Sequence, residues 1–296
     1  MHYSRFCSQV QDLLKAELPA AADVELSESD GTVCVTVRTP ADVLYPSVPL
    51  PGFFNAYLQG LSLGEIIRRI LSVYTAETLH PFCTASDFTD RREFVKGLGT
   101  RPACLRLHRR NLPLLPHAVF HDMLFFFTAQ LPGSGRSHET SIVTKEISSH
   151  FRMTDDALLK TAAAASEERS PAVLYPLSVY LDKLTREYPD AGRRMPGLSA
   201  VSSGSSFFVL TNDRSHFGAG VLLYRGMTEQ LFQRFGPYYL LPSSVHEILI
   251  LPREGTVNQS ELKHLIRSAN RDLCDSLLVL SDDLYNYDPE NGLMIC

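Results

Sequence analysis

Apolar positions recur along this chain with two periods, one helical and one extended, and the changes between them lay out the elements. Near the N-terminus Phe6, Val10, Leu13, Leu14 and Leu18 share one helical face, and Pro19 ends that helix. The period then falls to two. Val24–Glu28 and Thr32–Arg38 flank Ser29-Asp30-Gly31 and predict a hairpin, whose second strand buries Val33, Val35 and Val37 on one face. Pro40, Pro46, Pro49 and Pro51 mark an irregular connection over residues 39–52, and a short helix starts at Phe53. Ser62 and Glu65 have capping-box spacing ahead of a helical stripe of Ile66, Ile67, Ile70, Leu71 and Tyr74.

A polar, mixed segment follows. Lys96-Gly-Leu-Gly-Thr-Arg-Pro102 reads as the break between two lobes, residues 1–97 and 98–296. Ala103, Leu105 and Leu107 then alternate as a strand. Ala118–Gln130 predicts one long strand, apolar enough at Phe125, Phe126 and Phe127 to lie inside a sheet. Thr140–Thr144 returns as a short strand, and Thr154 caps a helix over Ala157–Glu168. Leu177, Tyr180, Leu181, Leu184 and Tyr188 mark the next helix. In the last third Ser206–Thr211, Tyr238–Leu241 and His246–Leu251 predict strands, and Phe217–Phe235 a helix interrupted at Gly226. Asn258 and Glu261 cap a long helix expected to run to Leu280. Strands and helices mix without a regular βαβ repeat. The expected fold class is therefore α+β, with mixed or antiparallel sheets, packed helices and two lobes.

Composition narrows the function more than it names it. The chain has 296 residues, 44% of them hydrophobic, which is ample for buried cores. A net charge of -5 argues against a large basic face, so nucleic acid is not an expected partner. No apolar run approaches the roughly 18 residues of a membrane span, and none follows a basic start as in a leader peptide. The 6 cysteines are scattered without a Cys-x-x-Cys pair, which predicts free thiols in a cytoplasmic protein and neither a zinc nor a redox motif. No cofactor and no metal are expected.

Several clusters invite chemistry. His117, His121 and Asp122 look like part of a metal site. On one straight strand, however, the two histidines would lie about 13 Å apart, at roughly 3.3 Å per residue. Ligands of one zinc sit at about 2 Å from it and cannot span that distance. His246 and Glu247 start a strand and point to opposite faces, so they do not pair with each other. His246 could serve as a base for Ser243 or Ser244, although no Gly-x-Ser-x-Gly elbow surrounds either serine. Gly218-Ala-Gly220 precedes a helix but lacks the third glycine and the Lys-Ser/Thr of a phosphate loop, which points to close backbone packing. Arg109-Arg110 and Arg193-Arg194 read as solvated charges. Asp282, Asp283 and Asp288 around Tyr285-Asn-Tyr287 resemble a calcium loop in composition but not in order.

Leu210-Thr-Asn212, Phe217-Gly-Ala-Gly-Val-Leu-Leu-Tyr224, Leu241-Pro-Ser-Ser-Val-His-Glu-Ile-Leu-Ile-Leu-Pro252 and Leu280-Ser-Asp-Asp-Leu-Tyr-Asn-Tyr-Asp288 together resemble a bacterial family, domain of unknown function 5688. Pro116-His-Ala-Val-Phe-His-Asp122 and the Phe53–Tyr74 segment are similar to its earlier blocks, so the resemblance covers most of the chain. A more distant similarity, in the order of strand, helix and acidic strand, is to the YtpQ-like family. Neither resemblance implies a reaction or a catalytic residue. The expectation is a non-enzymatic protein- or ligand-binding or regulatory module whose partner is an unknown protein or small molecule. Its candidate binding residues are His117, Asp122, Asn212, Tyr224, Ser243, Ser244, His246 and Glu247. The alternative is a small hydrolase-like enzyme using His246 with Ser243 or Ser244. Whether Asp122, Asn212, Ser243, Ser244 and His246 meet in one place separates the two.

Overall fold

In the computed structural model, residues 1–29, 31–40, 42–78, 83–131, 140–187, 207–253, 258–272 and 278–296 are described. Three antiparallel sheets with helices packed on them organise these residues, and the fold is α+β.

The first sheet grows from the expected hairpin. Strands β1 (Asp23–Ser29) and β2 (Thr32–Arg38) pair in register, and β3 (Ser47–Pro49) adds to β2. The proline-rich connection thus supplies a strand, which fits proline's tolerance at a sheet edge. β2 is covered on both sides rather than half-buried. Val35 and Val37 join a core with Phe6, Val10 and Leu14 of helix α1 (Tyr3–Glu17), while Thr36 on the other face bonds Ser47 at 2.9 Å. Leu13, expected inside, is 38% exposed. Helices α2 (Pro51–Leu58) and α3 (Leu63–Thr78) complete this layer, with Ser62 Oγ accepting from Glu65 N–H.

After α4 (Arg91–Gly97) the chain runs directly into β4 (Leu98–Cys104), then turns through a short helix, α5 (Leu105–His108). The strand expected at 103–107 therefore ends at Cys104. β5 (His117–Phe120) and β6 (Met123–Gln130) replace the single long strand. They form a hairpin whose turn is His121-Asp122, with His121 at φ 56. Histidine is among the few non-glycine types enriched in this left-handed region. β6 is the spine of the second sheet. It pairs with β4 along one edge, and with β5 and then β7 (Thr140–Ile142) along the other. Its residues from Met123 to Phe127 are fully buried. Helix α6 (Lys145–His150) and helix α7 (Asp155–Arg169) follow, capped by Thr144 and Thr154.

The third sheet has six strands in the order β13-β12-β10-β11-β9-β8. They are β8 (Ala172–Pro176), β9 (Phe208–Asn212), β10 (Tyr238–Leu241), β11 (Ile248–Pro252), β12 (Tyr285–Asp288) and β13 (Gly292–Ile295). Its two faces feed different cores. Leu210, Tyr238, Leu240, Ile248 and Ile250 pack with Met123 and Phe125 of the second sheet. Val209, Tyr239, Leu241, Leu249 and Leu251 pack with Leu177 and Tyr180 of α8 (Leu177–Glu187) and with Leu262 and Ile266. The helix expected over 217–235 is a 3-10 segment, Gly218–Leu223, then α9 (Met227–Phe235), separated at Gly226, which has φ 65. The last long helix, α10, spans Gln259–Asp272 and is shorter than expected; residues 273–277 lie outside the described residues, as does Arg193-Arg194. The acidic 282–288 stretch becomes strand and turn. Asp288 Oδ1 accepts from the N–H groups of Glu290 and Asn291, closing the β12–β13 hairpin.

Asn111 joins the first layer to the rest. Its fully buried amide brackets Tyr45, accepting from the Tyr45 N–H at 3.2 Å and donating to its carbonyl at 3.0 Å.

Candidate functional site

The connection Pro242–Glu247 leaves β10 and enters β11, and it lies against the loop that follows β9. Both loops are tied down by backbone bonds. Val245 N–H donates to Leu278 O at 2.8 Å, Ala219 N–H donates to Val245 O at 3.2 Å, and Ser244 N–H donates to Glu247 O at 3.1 Å. Thr211 Oγ1 donates to His246 O at 2.7 Å, stitching the two loops together. Asn212 folds its own loop. Its Nδ2 donates to His216 O at 2.9 Å, and its Oδ1 accepts from His216 N–H at 3.2 Å. Ser215 and Phe217 are both left-handed, with φ 51 and φ 48. For a phenylalanine this costs roughly 1–2 kcal/mol, which the surrounding bonds must offset.

Glu247 is buried, with 4% of its surface exposed. Ser244 Oγ donates to its Oε1 at 2.7 Å, while Ser243 Oγ at 3.5 Å and Tyr180 Oη at 3.4 Å lie at the long limit of bonding. Burial pushes the Glu247 carboxyl up, outweighing the three hydroxyls that pull it down. Ser244 Oγ also accepts from the His246 backbone N–H at 2.9 Å. Its proton therefore points to Glu247 and one of its two lone pairs is engaged.

The His246 imidazole turns the other way; β11 begins at Ile248 and not at His246 as expected, so His246 and Glu247 lie in the connection rather than on the strand. Its Nδ1 accepts from Phe217 N–H at 3.0 Å. That bond places the ring proton of the neutral form on Nε2. The ring stacks near His216 at 5.4 Å and Phe217 at 5.5 Å between centroids, and the Arg101 guanidinium lies 4.8 Å from the centre of the Phe217 ring. Burial, then His216, then Arg101 push the His246 pKa down to about 4. Nδ1 is occupied and Nε2 is protonated, so this imidazole is a hydrogen-bond donor and has no free lone pair with which to take a proton from a serine.

The other candidate residues have separate work. Asp122, in the β5–β6 turn, accepts from Ser281 Oγ at 2.6 Å and from Tyr285 Oη. It anchors that turn to the segment leading into β12. His117 Nδ1 bonds Leu115 O at 2.9 Å. His121 Nε2 bonds Leu293 O at 2.9 Å. The histidines at 117 and 121 are separated by the end of a strand, not by a straight run. Tyr224 Oη donates to Ser170 O at 2.8 Å, and burial pushes its phenol up to about 12. The structure thus gathers Asn212, Ser243, Ser244, His246 and Glu247 around two loops, and engages Asp122, His117 and Tyr224 elsewhere. Among the described residues there is no group of three or more His, Cys, Asp or Glu side chains arranged to hold a metal ion.

The family model of a family of unknown function, DUF5688, matches residues 3–289. The chain belongs to this family. No curated protein and no solved structure matches it. The DUF5688 match ends just before β13 and includes both loops of the site.

Reasoning from sequence missed Thr211, His216, Phe217, Arg101 and Tyr180 as parts of this site. Arg101 had a readable signal, a lone charge in the otherwise apolar or small run Leu98–Cys104; it is 4% exposed. Tyr180 had none, because the helical stripe that contains it accounts for it fully as core.

Proposed function

We propose that this DUF5688 protein is a non-catalytic binding or regulatory module whose ligand or partner contacts the surface formed by residues 212–217 and 242–247. One observation carries the reading: His246 accepts the Phe217 N–H on Nδ1, while the serine hydroxyls turn to Glu247. A nucleophile and base would need the opposite arrangement, with imidazole and hydroxyl bonded to each other. Chemistry by His246 with Ser243 or Ser244 is the competing reading, and it requires both bonds to be remade. The cytoplasmic placement rests on free Cys7, Cys34, Cys83, Cys104 and Cys296 thiols, which fit a reducing compartment. Among the described residues, no helix is long and apolar enough to cross a membrane.

The test compares wild type with Ser243→Ala, Ser244→Ala and His246→Asn against activated carboxyl and phosphate esters. The reading predicts no turnover that depends on any of the three. A hundredfold loss of measurable esterase activity in Ser243→Ala or Ser244→Ala, matched by His246→Asn, would establish the competing reading instead.

A further inference from the structure

Glu247 is an acid set against an apolar core. Tyr180 of α8, whose Oη lies 3.4 Å from Glu247 Oε2, packs there with Leu177, Leu249, Leu251, Leu262 and Ile266. Burial and the hydroxyls of Ser244, Tyr180 and Ser243 are what act on this carboxyl. The titratable side chains on the elements around it are directed elsewhere. On α8, Lys183 donates to Ser215 Oγ at 2.9 Å and lies over the Tyr175 ring of β8, while Asp182 and Arg186 are exposed. Tyr239 of β10 accepts from Gln259 Nε2 at 3.2 Å. On α10, Lys263 donates to Cys296 O at 2.6 Å, Arg267 acts on Asp283, and His264 is exposed. Burial pushes the Cys296 thiol up, and His246 accepts Phe217 N–H. A carboxylate at this depth, met by hydroxyls, needs water.

The elements covering Glu247 are held with different firmness. The connection of residues 242–247 is stitched by backbone bonds to Leu278 and Ala219 and by Thr211 Oγ1, and β11 is paired along both edges. Helix α8 has 11 residues and is fixed at its start, where Leu177 N–H donates to Phe207 O at 2.9 Å. Beyond Leu177 it rests on one face, through buried Tyr180 and partly buried Leu181 and Leu184. Its opposite face, with Ser178, Val179 and Thr185, is exposed. Turning α8 about Leu177 admits water to Glu247 and leaves every strand paired.

We propose that Glu247 is a pH-operated latch for α8: the neutral acid lets the helix lie on the sheet, and ionisation lifts it about Leu177. Lifting α8 withdraws Lys183 from Ser215, so the latch regulates the surface formed by residues 212–217 and 242–247. That regulatory step rests on the non-catalytic reading of the surface; the latch itself does not. The sign follows from burial. The closed form keeps its proton above the ordinary carboxylate range, where the open form has released it. Opening is therefore favoured about tenfold per pH unit above that range, until the closed form also ionises.

Hydrogen–deuterium exchange of the full chain is followed residue by residue from pH 5 to 8, each rate being divided by its intrinsic rate at that pH. The proposal predicts that amides 181–187 are less protected than those of β10, β11 and α10, so that α8 opens separately. Their protection should fall about tenfold per pH unit before levelling, and Glu247→Gln should remove this slope. Should that variant fold poorly, carbon-13 NMR of the Glu247 carboxyl in the wild-type chain decides. A midpoint at the pH where the α8 slope levels supports the latch, and an ordinary carboxylate midpoint overturns it. Equal protection of α8 and β11, a slope carried by α10 in place of α8, or a slope that survives Glu247→Gln would also overturn it. Ester turnover dependent on His246 would overturn the non-catalytic reading and leave the latch standing.

Discussion

Gly218→Ala is the sharpest test of how the two site loops are held. A Cβ built at Gly218 lies 2.0 Å from Thr211 Oγ1, 2.4 Å from His246 O and 2.9 Å from Asn212 N. The threonine side chain can rotate, but doing so breaks its 2.7 Å bond to His246 O. The other two atoms are backbone, and the loops must part by roughly 1 Å to restore ordinary contact with the carbonyl. Leaving a buried carbonyl unpaired costs about 1–3 kcal/mol. Overpacking of this kind costs a further 1–3 kcal/mol or so. The expected destabilisation is therefore about 2–6 kcal/mol, read as a lowered midpoint in urea unfolding at unchanged slope. Adding Thr211→Ala should not restore stability, because the backbone contacts persist. Gly64→Ala is the internal control. Its Cβ would meet nothing within 4 Å on helix α3, so the change should stabilise by about 0.5–1 kcal/mol. A Gly218→Ala protein within about 0.5 kcal/mol of wild type would refute the reasoning, since surface-like tolerance there is incompatible with the close approach.

Three further outcomes follow from the buried polar groups. Burial and nearby charge push His108 down to about 3 and His246 to about 4, below the ordinary histidine value in the unfolded chain. Their contribution is thus full above about pH 6.5 and lost as pH falls towards those values; unfolding free energy should drop by about 2 kcal/mol per histidine between pH 6.5 and 5, and His246→Asn should remove its share. Glu247 has the opposite sign. Its carboxyl is raised by burial, so its contribution is full below the ordinary carboxylate range and lost as pH rises through the folded value. Glu247→Gln should gain stability relative to wild type as pH is raised from 5 to 8; a constant difference across that range would contradict a raised carboxyl. Asn111→Ala strands both backbone groups of Tyr45 and should cost about 2–4 kcal/mol in chemical denaturation, with Asn111→Asp no better because a carboxylate oxygen would face the Tyr45 carbonyl.

The sequence carried the elements whose signal is local. The α1 face apart from Leu13, the β1–β2 hairpin, the Thr154 cap and the Gly226 interruption all depend on residues within one or two turns of each other, and they occur where the pattern places them. The β5–β6 hairpin was hidden because His121-Asp122 is not a glycine turn and both strands are apolar. β8 and β13 were hidden because edge strands need little hydrophobic alternation. At the site, the importance of Pro242–Glu247 was readable from its concentration of hydroxyl, imidazole and carboxylate between two strands. The direction of each side chain was not. Phe217, which sets the His246 tautomer, is 29 residues away along the chain. The pairing of β9 with β11 brings the two loops side by side. The division at residues 97 and 98 stands as a proposal. Cys83, Phe88 and Phe94, assigned to the first lobe by that division, pack with Phe127, Ile147 and Leu158.

The tautomer of His246 tests the account most directly. Nitrogen-15 NMR of the imidazole at pH 7 reports which ring nitrogen carries the proton. The account predicts a neutral ring with the proton on Nε2 and a bare, hydrogen-bonded Nδ1, unchanged down to about pH 5. A proton on Nδ1, or a ring that titrates near its ordinary value, would leave Nε2 free to act as a base. Either result would contradict the non-catalytic reading of this surface.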